Sequence, residues 1–311
     1  MLALRINRHF LVKIVVASVA TWACMTTGAV AEEPAKESSE FKQLVKVDRN
    51  VRFSTAEGKA GLCDVYLPFA VDPPKAGYPV VLLVHGGGWI TGDKWNLIAY
   101  ANLLAANGFV AVAINYRLAP QHKFPAQVDD VRDGLLWLSK NSNRLSINMD
   151  RLGLFGYSAG GHLATIISGV ANEKMEQQLQ TSRWAKDDKR WKTLPTIKAV
   201  SVGGPPCDFR DFPIDSIGMT FFLPGTRRRM PKIYDAASPT VHASTGDPVT
   251  QIIHGTDDAL VPIASSRKLH KALKEADVDV RFVEMEKHGH MSTFLHSTTR
   301  EKMLGFFKET L

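Results

Sequence analysis

The feature that most constrains the fold is an alternation of short, continuously apolar runs with longer amphipathic runs. Continuous rather than alternating hydrophobicity is typical of strands in a sheet that is covered on both faces. The alternation favours parallel strands connected by helices, and a chain of 311 residues can bury the core that such a fold needs. The predicted strands occupy residues 79–84, 109–114, 152–155, 197–202, 249–253 and 278–284.

Helical patterns lie between these strands. One helix is predicted by apolar residues at the i, i+3, i+4, i+7 spacing of a single buried face, namely Leu163, Ile166, Ile167 and Val170. A further helix is expected at residues 265–275. Together these elements predict an α/β fold of three layers, with a mostly parallel central sheet and helices on both faces. Two irregular stretches, near 172–195 and 205–245, are interpreted as insertions that either cap a site or form surface loops.

The first 31 residues have the layout of a secretory signal peptide. Three basic residues precede an apolar run at 14–25, and small residues at 29–31 precede an acidic pair. We predict cleavage after Ala31 and export to the periplasm or beyond, with a flexible stretch at 32–43. The apolar run is shorter than the roughly 20 residues of a membrane-spanning helix, so a lasting membrane anchor is the less favoured alternative.

The predicted mature chain is only mildly basic. Cleavage would remove three of the 38 basic residues and none of the 31 acidic ones, which lowers the formal net charge from +7 to +4. The densest basic run, Arg227–Arg229, has no interleaved aromatic residues and no recognised nucleic-acid motif. We interpret this run as a solvated loop and expect no nucleic-acid partner.

Three cysteines are too few for a disulfide framework. Cys24 lies in the predicted signal peptide, and Cys63 and Cys207 are far apart in the sequence. An exported protein can oxidise such a pair, but two free thiols are the expected state.

Residues 156–160, Gly-Tyr-Ser-Ala-Gly, lie directly after the predicted strand that ends at Phe155 and directly before the predicted helix. In this context G-x-S-x-G indicates a nucleophile elbow, in which the glycines allow a sharp turn and the serine oxygen is exposed at the end of the strand. The motif alone occurs often by chance. The strand before it and the helix after it make Ser158 the candidate nucleophile.

A second motif, His85 followed by three glycines, also comes directly after a predicted strand. Unobstructed backbone N–H groups of this kind stabilise the oxyanion of an acyl-transfer intermediate. The run lacks the ending of a P-loop and the G-x-G-x-x-G spacing of a dinucleotide site, which disfavours phosphate binding. We assign the oxyanion donors to Gly87, Gly88 and Ala159, with Gly86 as the alternate, and expect His85 to shape the loop by hydrogen bonding.

These two motifs together resemble the α/β-hydrolase superfamily, in particular its hormone-sensitive-lipase-like and acetyl-esterase or feruloyl-esterase-like branches. The segment Tyr-Arg-Leu-Ala-Pro at 116–120, followed by Phe-Pro-Ala at 124–126 and two aspartates at 129–130, strengthens the resemblance. It extends from about Pro79 to the C-terminus. It implies an α/β-hydrolase catalytic domain over residues 44–311 that cleaves carboxylic esters as a serine esterase without a cofactor.

A serine hydroxyl needs a base to activate it and a carboxylate to orient that base. In the superfamily the order along the chain is serine, acid, histidine. Residues 254–262 resemble the loop that bears the acid, which stands two residues after Thr256, so Asp258 is preferred to Asp257. The base follows the last strand beside a glycine, which makes His290 the preferred residue and His288 the alternative.

The same acidic and histidine side chains offer oxygen and nitrogen ligands to a metal ion. A metal site would leave the elbow and the glycine run unexplained, so no metal is expected. Two other histidines, His162 and His254, are expected to make local hydrogen bonds.

The predicted mechanism begins with attack of Ser158 on an ester carbonyl while His290 takes its proton and Asp258 holds the imidazole. Water then resolves the acyl-enzyme. Export favours short-chain or carbohydrate-linked acyl esters as substrates, but fold and triad do not choose the substrate. An aryl formamide or a peptide bond is the alternative substrate, and a non-catalytic binding module is the alternative function. The oligomeric state stays open.

Overall fold

The computed structural model describes residues 44–69 and 72–311. The predicted signal peptide, its cleavage site, the stretch at 32–43 and Cys24 lie outside the described residues. Within them, eight strands form one sheet: β1 (Val45–Arg52), β2 (Leu62–Pro68), β3 (Tyr78–Val84), β4 (Val110–Ile114), β5 (Ile147–Tyr157), β6 (Ala199–Gly203), β7 (Val249–Gly255) and β8 (Val280–Met285).

Helices connect the strands. The α-helices of the described residues are α1 (Ile98–Ala106), α2 (Ala126–Lys140), α3 (Ser142–Leu145), α4 (Ala159–Val170), α5 (Met175–Gln180), α6 (Pro231–Ala236), α7 (Pro239–His242), α8 (Ala264–Glu275), α9 (His290–Leu295) and α10 (Ser297–Thr310). Short 3₁₀ helices lie at Gly58–Gly61, Lys94–Leu97, Lys189–Thr193 and Phe209–Asp211.

The strand order across the sheet is β1-β2-β4-β3-β5-β6-β7-β8. The pairs β1 with β2 and β2 with β4 are antiparallel, and all pairs from β4 through β3 to β8 are parallel. The prediction of a mostly parallel sheet is confirmed. Because parallel strands end at the same edge, the loops after β3, β5, β6, β7 and β8 come together there.

Strand β3 shows why the apolar runs are continuous. Val80, Leu82 and Val84 belong to the apolar core on one face of the sheet, whereas Val81 and Leu83 belong to the core on the other face. All five side chains are fully buried. Helices α2 and α4 cover the first face, and α1 and α10 cover the second, which confirms the three-layer arrangement.

The predicted strands differ from the observed ones mainly at the sheet's first edge. Strand β5 begins five residues before the predicted start at Leu152, and β1 and β2 were not predicted. Strand β1 carries charged and polar residues and is only partly buried. An edge strand that is only partly covered needs few apolar residues, so apolar periodicity indicates it only weakly.

Cys63 and Cys207 are both free and buried, which confirms the expectation of two thiols. Burial raises the pKa of the Cys63 thiol to about 12, so the group stays protonated at neutral pH. Nothing in residues 44–69 and 72–311 forms a helix long and apolar enough to cross a bilayer.

Candidate active site

Ser158 lies in the turn between β5 and α4, as the elbow motif predicts. Its backbone has φ 55° and ψ −121°, a conformation that residues with a side chain rarely adopt. Two hydrogen bonds hold it: the Ser158 N–H donates to the Gly203 carbonyl over 2.7 Å, and the Ser158 carbonyl accepts from the His162 N–H over 2.9 Å. The neighbours Tyr157 and Ala159 are buried, whereas Ser158 is partly exposed.

The glycines of the elbow are required by close backbone contacts. A Cβ on Gly156 would lie 2.2 Å from the carbonyl oxygen of Gly160, and a Cβ on Gly160 would lie 2.0 Å from the carbonyl oxygen of Val84. Both distances are far shorter than a van der Waals contact. Both oxygens belong to the backbone, so neither can move aside without moving the chain. The elbow therefore packs against the end of β3 only because these positions lack side chains.

Asp258 and His290 meet at the ends of β7 and β8. The Nδ1 atom of His290 lies 2.6 Å from Oδ2 of Asp258, and both residues are more than nine-tenths buried. The other carboxylate oxygen accepts backbone N–H groups from Leu260 over 2.9 Å and from Val261 over 2.8 Å. The carboxylate is thus fixed in one orientation and leaves the His290 Nε2 atom as the free ring nitrogen.

A second histidine contacts the same carboxylate. His254 is fully buried, with its Nε2 atom 3.1 Å from Oδ2 of Asp258 and 2.8 Å from the Val261 carbonyl oxygen. Its Nδ1 atom lies 2.7 Å from Ser266 Oγ. Burial alone would raise the pKa of Asp258, but the hydrogen bonds from His254 and His290 outweigh burial and hold that pKa well below its usual range.

Ser158 and His290 face the same glycine pair, Gly203 and Gly204, at the end of β6. Gly203 accepts the Ser158 N–H, and a Cβ on Gly204 would lie 3.0 Å from Cε1 of His290. Gly204 adopts φ +53°. The sheet edge thus brings together the three predicted catalytic residues, of which Asp258 lies 100 residues after Ser158 and 32 residues before His290.

The glycine run after β3 forms an open loop beside the elbow. Gly87 and Gly88 adopt φ +111° and +60°, and a Cβ on Gly87 would lie 2.2 Å from the Thr91 carbonyl oxygen. Among the described residues, no backbone or side-chain acceptor is hydrogen-bonded to the N–H groups of Gly87, Gly88 or Ala159. Gly86 lies against Ser158, since a Cβ there would be 3.2 Å from the Ser158 Cβ.

The Tyr-Arg-Leu-Ala-Pro segment supports this loop. Tyr116 stacks on the His85 ring at a centroid distance of 4.2 Å and donates its hydroxyl to the His85 carbonyl over 3.0 Å. The Ala119 N–H donates to the Trp89 carbonyl over 2.8 Å. His85 donates from Nδ1 to the Gly86 carbonyl over 2.7 Å, and burial lowers its pKa to about 4. His85 therefore shapes the loop, as expected, in its neutral form.

The stretch at 205–245 packs onto the two glycine-containing motifs through aromatic rings. Phe222 stacks on Trp89 at 4.2 Å between centroids, and Phe209 lies 5.0 Å from the His162 ring. Trp89 Nε1 donates to His162 Nδ1 over 3.2 Å, and His162 Nε2 donates to the Ala237 carbonyl over 2.8 Å. His162 thus links the glycine loop after β3, helix α4 and this stretch.

The stretch at 172–195 packs elsewhere. Trp184 and Trp191 contact each other and the guanidinium of Arg132, which belongs to α2. Arg132 also donates to the Thr181 carbonyl over 2.7 Å. Within the described residues, no hydrogen bond or ring contact joins this stretch to the three predicted catalytic residues.

The residues that the sequence left as alternatives take other positions. Asp257 is exposed, and its carboxylate accepts only the Thr256 hydroxyl among the described groups. His288 donates to the Glu286 carbonyl over 2.7 Å and packs edge-on against His296. Across residues 44–69 and 72–311, no cluster of three or more histidine, cysteine or acidic side chains is arranged to hold a metal ion.

Sequence reasoning missed several residues that shape the site. Gly203 and Gly204 come directly after a predicted strand, and a glycine pair at such a point is a signal that could have been used. Nothing in the local sequence indicates that Tyr157 or Ser266 contacts the site. Their partners, His290 and His254, are brought to them only by the fold.

Comparison with known proteins agrees with this architecture. Residues 63–273 match the family described as BD-FAE. Esterase LipC of Mycobacterium tuberculosis is 28% identical over 233 residues, which cover 70% of this chain and 54% of LipC. The chain thus spans about half the length of this relative.

Two solved structures share the fold. A truncated carbohydrate esterase from gut microbiota superposes with a TM-score of 0.74 at 23% identity, covering 89% of this chain and 99% of that one. Esterase B from Lactobacillus rhamnosis, solved with a tributyrin phosphonate, gives a TM-score of 0.75 at 22% identity, covering 97% and 96%.

Proposed function

The chain belongs to the BD-FAE family, and from this premise we propose that it is a serine carboxylic-ester hydrolase. The observation that carries the proposal is the 2.6 Å contact between His290 and Asp258 beside an elbow that carries Ser158. A buried imidazole that is oriented by an ionised carboxylate, next to a serine on a strained turn, is the arrangement that activates a hydroxyl for acyl transfer.

In the proposed mechanism Ser158 Oγ attacks the ester carbonyl and His290 Nε2 takes the serine proton. Asp258 accepts from His290 Nδ1, which fixes the tautomer and stabilises the imidazolium that forms. The protonated His290 then gives its proton to the alkoxide leaving group as the C–O bond breaks. Water, deprotonated by His290, attacks the acyl-enzyme, and His290 returns the proton to Ser158 Oγ as the C–O bond to the serine breaks and the acid leaves.

The negative oxygen of each tetrahedral intermediate would be bound by backbone N–H groups of Gly87, Gly88 and Ala159. These three groups have no hydrogen-bond acceptor in the described part of the chain. Two of them belong to a loop in which Gly87 and Gly88 adopt positive φ angles. Donors that are already in place require no reorganisation during the reaction, which is the source of their catalytic effect.

We further propose short-chain or carbohydrate-linked acyl esters as substrates and export of the protein after cleavage at Ala31. A carbohydrate esterase and an esterase that takes a tributyrin analogue are among the proteins with this fold, which supports both substrate types. The basic and apolar layout of residues 1–31 supports export.

The test is labelling of the purified protein with a fluorophosphonate, followed by peptide mapping and by hydrolysis assays on short-chain p-nitrophenyl esters, acetylated xylan and a formyl amide. Ser158→Ala is the control. We expect one label on Ser158, ester turnover by the native protein and a loss of roughly 10⁵-fold or more in kcat for Ser158→Ala. Absence of labelling in a folded sample, or turnover that survives Ser158→Ala, would overturn the proposal.

A further inference from the structure

Tyr157 stands directly before Ser158 and makes a contact that joins the nucleophile turn to the loop of the base. Its hydroxyl donates to the backbone carbonyl of His290 over 2.6 Å. The side chain is 3% exposed and therefore has no access to a substrate. The two residues are 133 positions apart, so this hydrogen bond exists only because the ends of β5 and β8 lie at the same sheet edge.

The ring of Tyr157 fills a slot that is shaped for it. Its centroid lies 5.2 Å from the His290 ring in an edge-to-face arrangement and 4.8 Å from the ring of Phe294. A Cβ on Gly203 would lie only 2.3 Å from the Tyr157 ring, so a side chain at that position would displace it. Gly203 is also the residue whose carbonyl binds the Ser158 N–H.

Tyr157 is thus linked to the residues that carry both reacting groups, Ser158 and His290. Along the chain, Tyr157 is bonded covalently to Ser158. Across the site, its hydroxyl holds the backbone carbonyl of His290, whereas Asp258 contacts the ring of His290.

We propose that Tyr157 is a positioning residue that sets the distance between Ser158 and His290 through its hydroxyl. The inference rests on the proposed esterase function. Burial raises the pKa of Tyr157 well above its usual range, so the hydroxyl keeps its proton, and its hydrogen bond, at every pH at which an esterase would be assayed.

The chain contains a matched control. Tyr100 is buried like Tyr157, and its hydroxyl donates to the carbonyl of Phe294 over 2.5 Å, in the same helix α9 that begins at His290. Tyr100→Phe therefore removes the same kind of hydrogen bond to the same helix without touching the backbone of the base. Any effect on the docking of α9 as a whole is common to both variants.

The experiment compares Tyr157→Phe and Tyr100→Phe with the native protein in kcat, KM and melting temperature on a short-chain p-nitrophenyl ester. We expect Tyr157→Phe to lower kcat roughly tenfold with KM within about twofold, because a small misplacement of reacting groups acts on the chemical step. For Tyr100→Phe we expect kcat within about twofold of native at a comparable loss of melting temperature.

Titration of active sites with a fluorophosphonate counts competent enzyme, so kcat remains measurable if one variant is only partly folded. Equal kcat values for the two variants, or a change in KM alone for Tyr157→Phe, would overturn the positioning role. A native protein that neither labels nor turns over esters would instead refute the proposed function.

Discussion

The two halves of the site are built by different means. The half after β3 and β5 consists of backbone in tight turns, where Gly87, Gly156 and Gly160 leave no room for a Cβ. The half after β7 and β8 consists of side chains, with Asp258 accepting from two backbone N–H groups and contacted by two histidines. The first half therefore requires glycine at particular positions, and the second requires particular side chains.

This difference has a physical basis. A tight turn can aim a backbone N–H at a developing charge, and at Gly87 that turn leaves no room for a Cβ. A proton acceptor must instead be a titratable side chain whose burial is offset by hydrogen bonds. We therefore expect substitutions in the side-chain half to remove activity while the fold persists, and substitutions in the backbone half to affect both.

Apart from removal of the Ser158 nucleophile itself, the largest expected effect lies in the side-chain half. Asp258→Asn keeps the size of the side chain and removes the negative charge that orients His290 and stabilises its protonated form. We expect kcat/KM to fall by roughly 10⁴-fold, with a melting curve that still shows one cooperative transition. Asp257→Asn is the matched control, because its exposed carboxylate lies one residue away, and should stay within about twofold of native. Comparable losses in the two variants would contradict the assignment of Asp258.

The next effect tests the backbone half. Gly87→Ala places a Cβ 2.2 Å from the Thr91 carbonyl oxygen at φ +111°, so the loop must shift. We expect kcat to fall by about 10²–10³-fold, because displaced amides no longer meet the oxyanion, together with a measurable loss of stability.

The control variant is Gly108→Ala, which has similar backbone strain far from the site, at φ +84° with no atom within 4 Å of the added Cβ. It should lose stability of about 1 kcal/mol and keep its kcat. Unchanged kcat in Gly87→Ala would exclude that loop as the oxyanion site.

The smallest effect concerns pH. Burial lowers the pKa of His162, which links the glycine loop after β3 to α4, to about 4. The unfolded chain takes up a proton at this residue below about pH 6.5 and the folded chain does not, so stability is lost as pH falls from about 6.5 to 4. The pKa of Asp258 is lowered instead, and its contribution is lost only as pH falls below the ordinary range of an aspartate.

We therefore expect His162→Gln to reduce the loss of unfolding free energy between pH 7.5 and 4.5 by roughly 2 kcal/mol. Urea unfolding at both pH values measures this difference. An equal pH dependence in the variant and the native protein would show that His162 is not held neutral by the fold. The two halves would then no longer differ in the pH range over which they lose stability.

The strands of the parallel sheet and both glycine-containing motifs could be predicted because their signals are local. Continuous apolar runs reveal buried strands, and the glycines mark the turns that the chain must make. Strand β1 escaped prediction because its charged residues hide the period, and the stretch at 172–195 could not be assigned a partner until its tryptophans were seen to contact Arg132. Signal cleavage after Ala31 stays a prediction.

By itself, the sequence determined the order of the parallel strands along the chain and a short set of candidate residues that included Ser158, Asp258 and His290. Only the tertiary structure decided which aspartate reaches which histidine, and that Tyr157 and His254 contact those residues. The physical reason is that turns and strands follow from neighbouring residues. A hydrogen bond between loops far apart in the chain depends instead on where the whole sheet ends them.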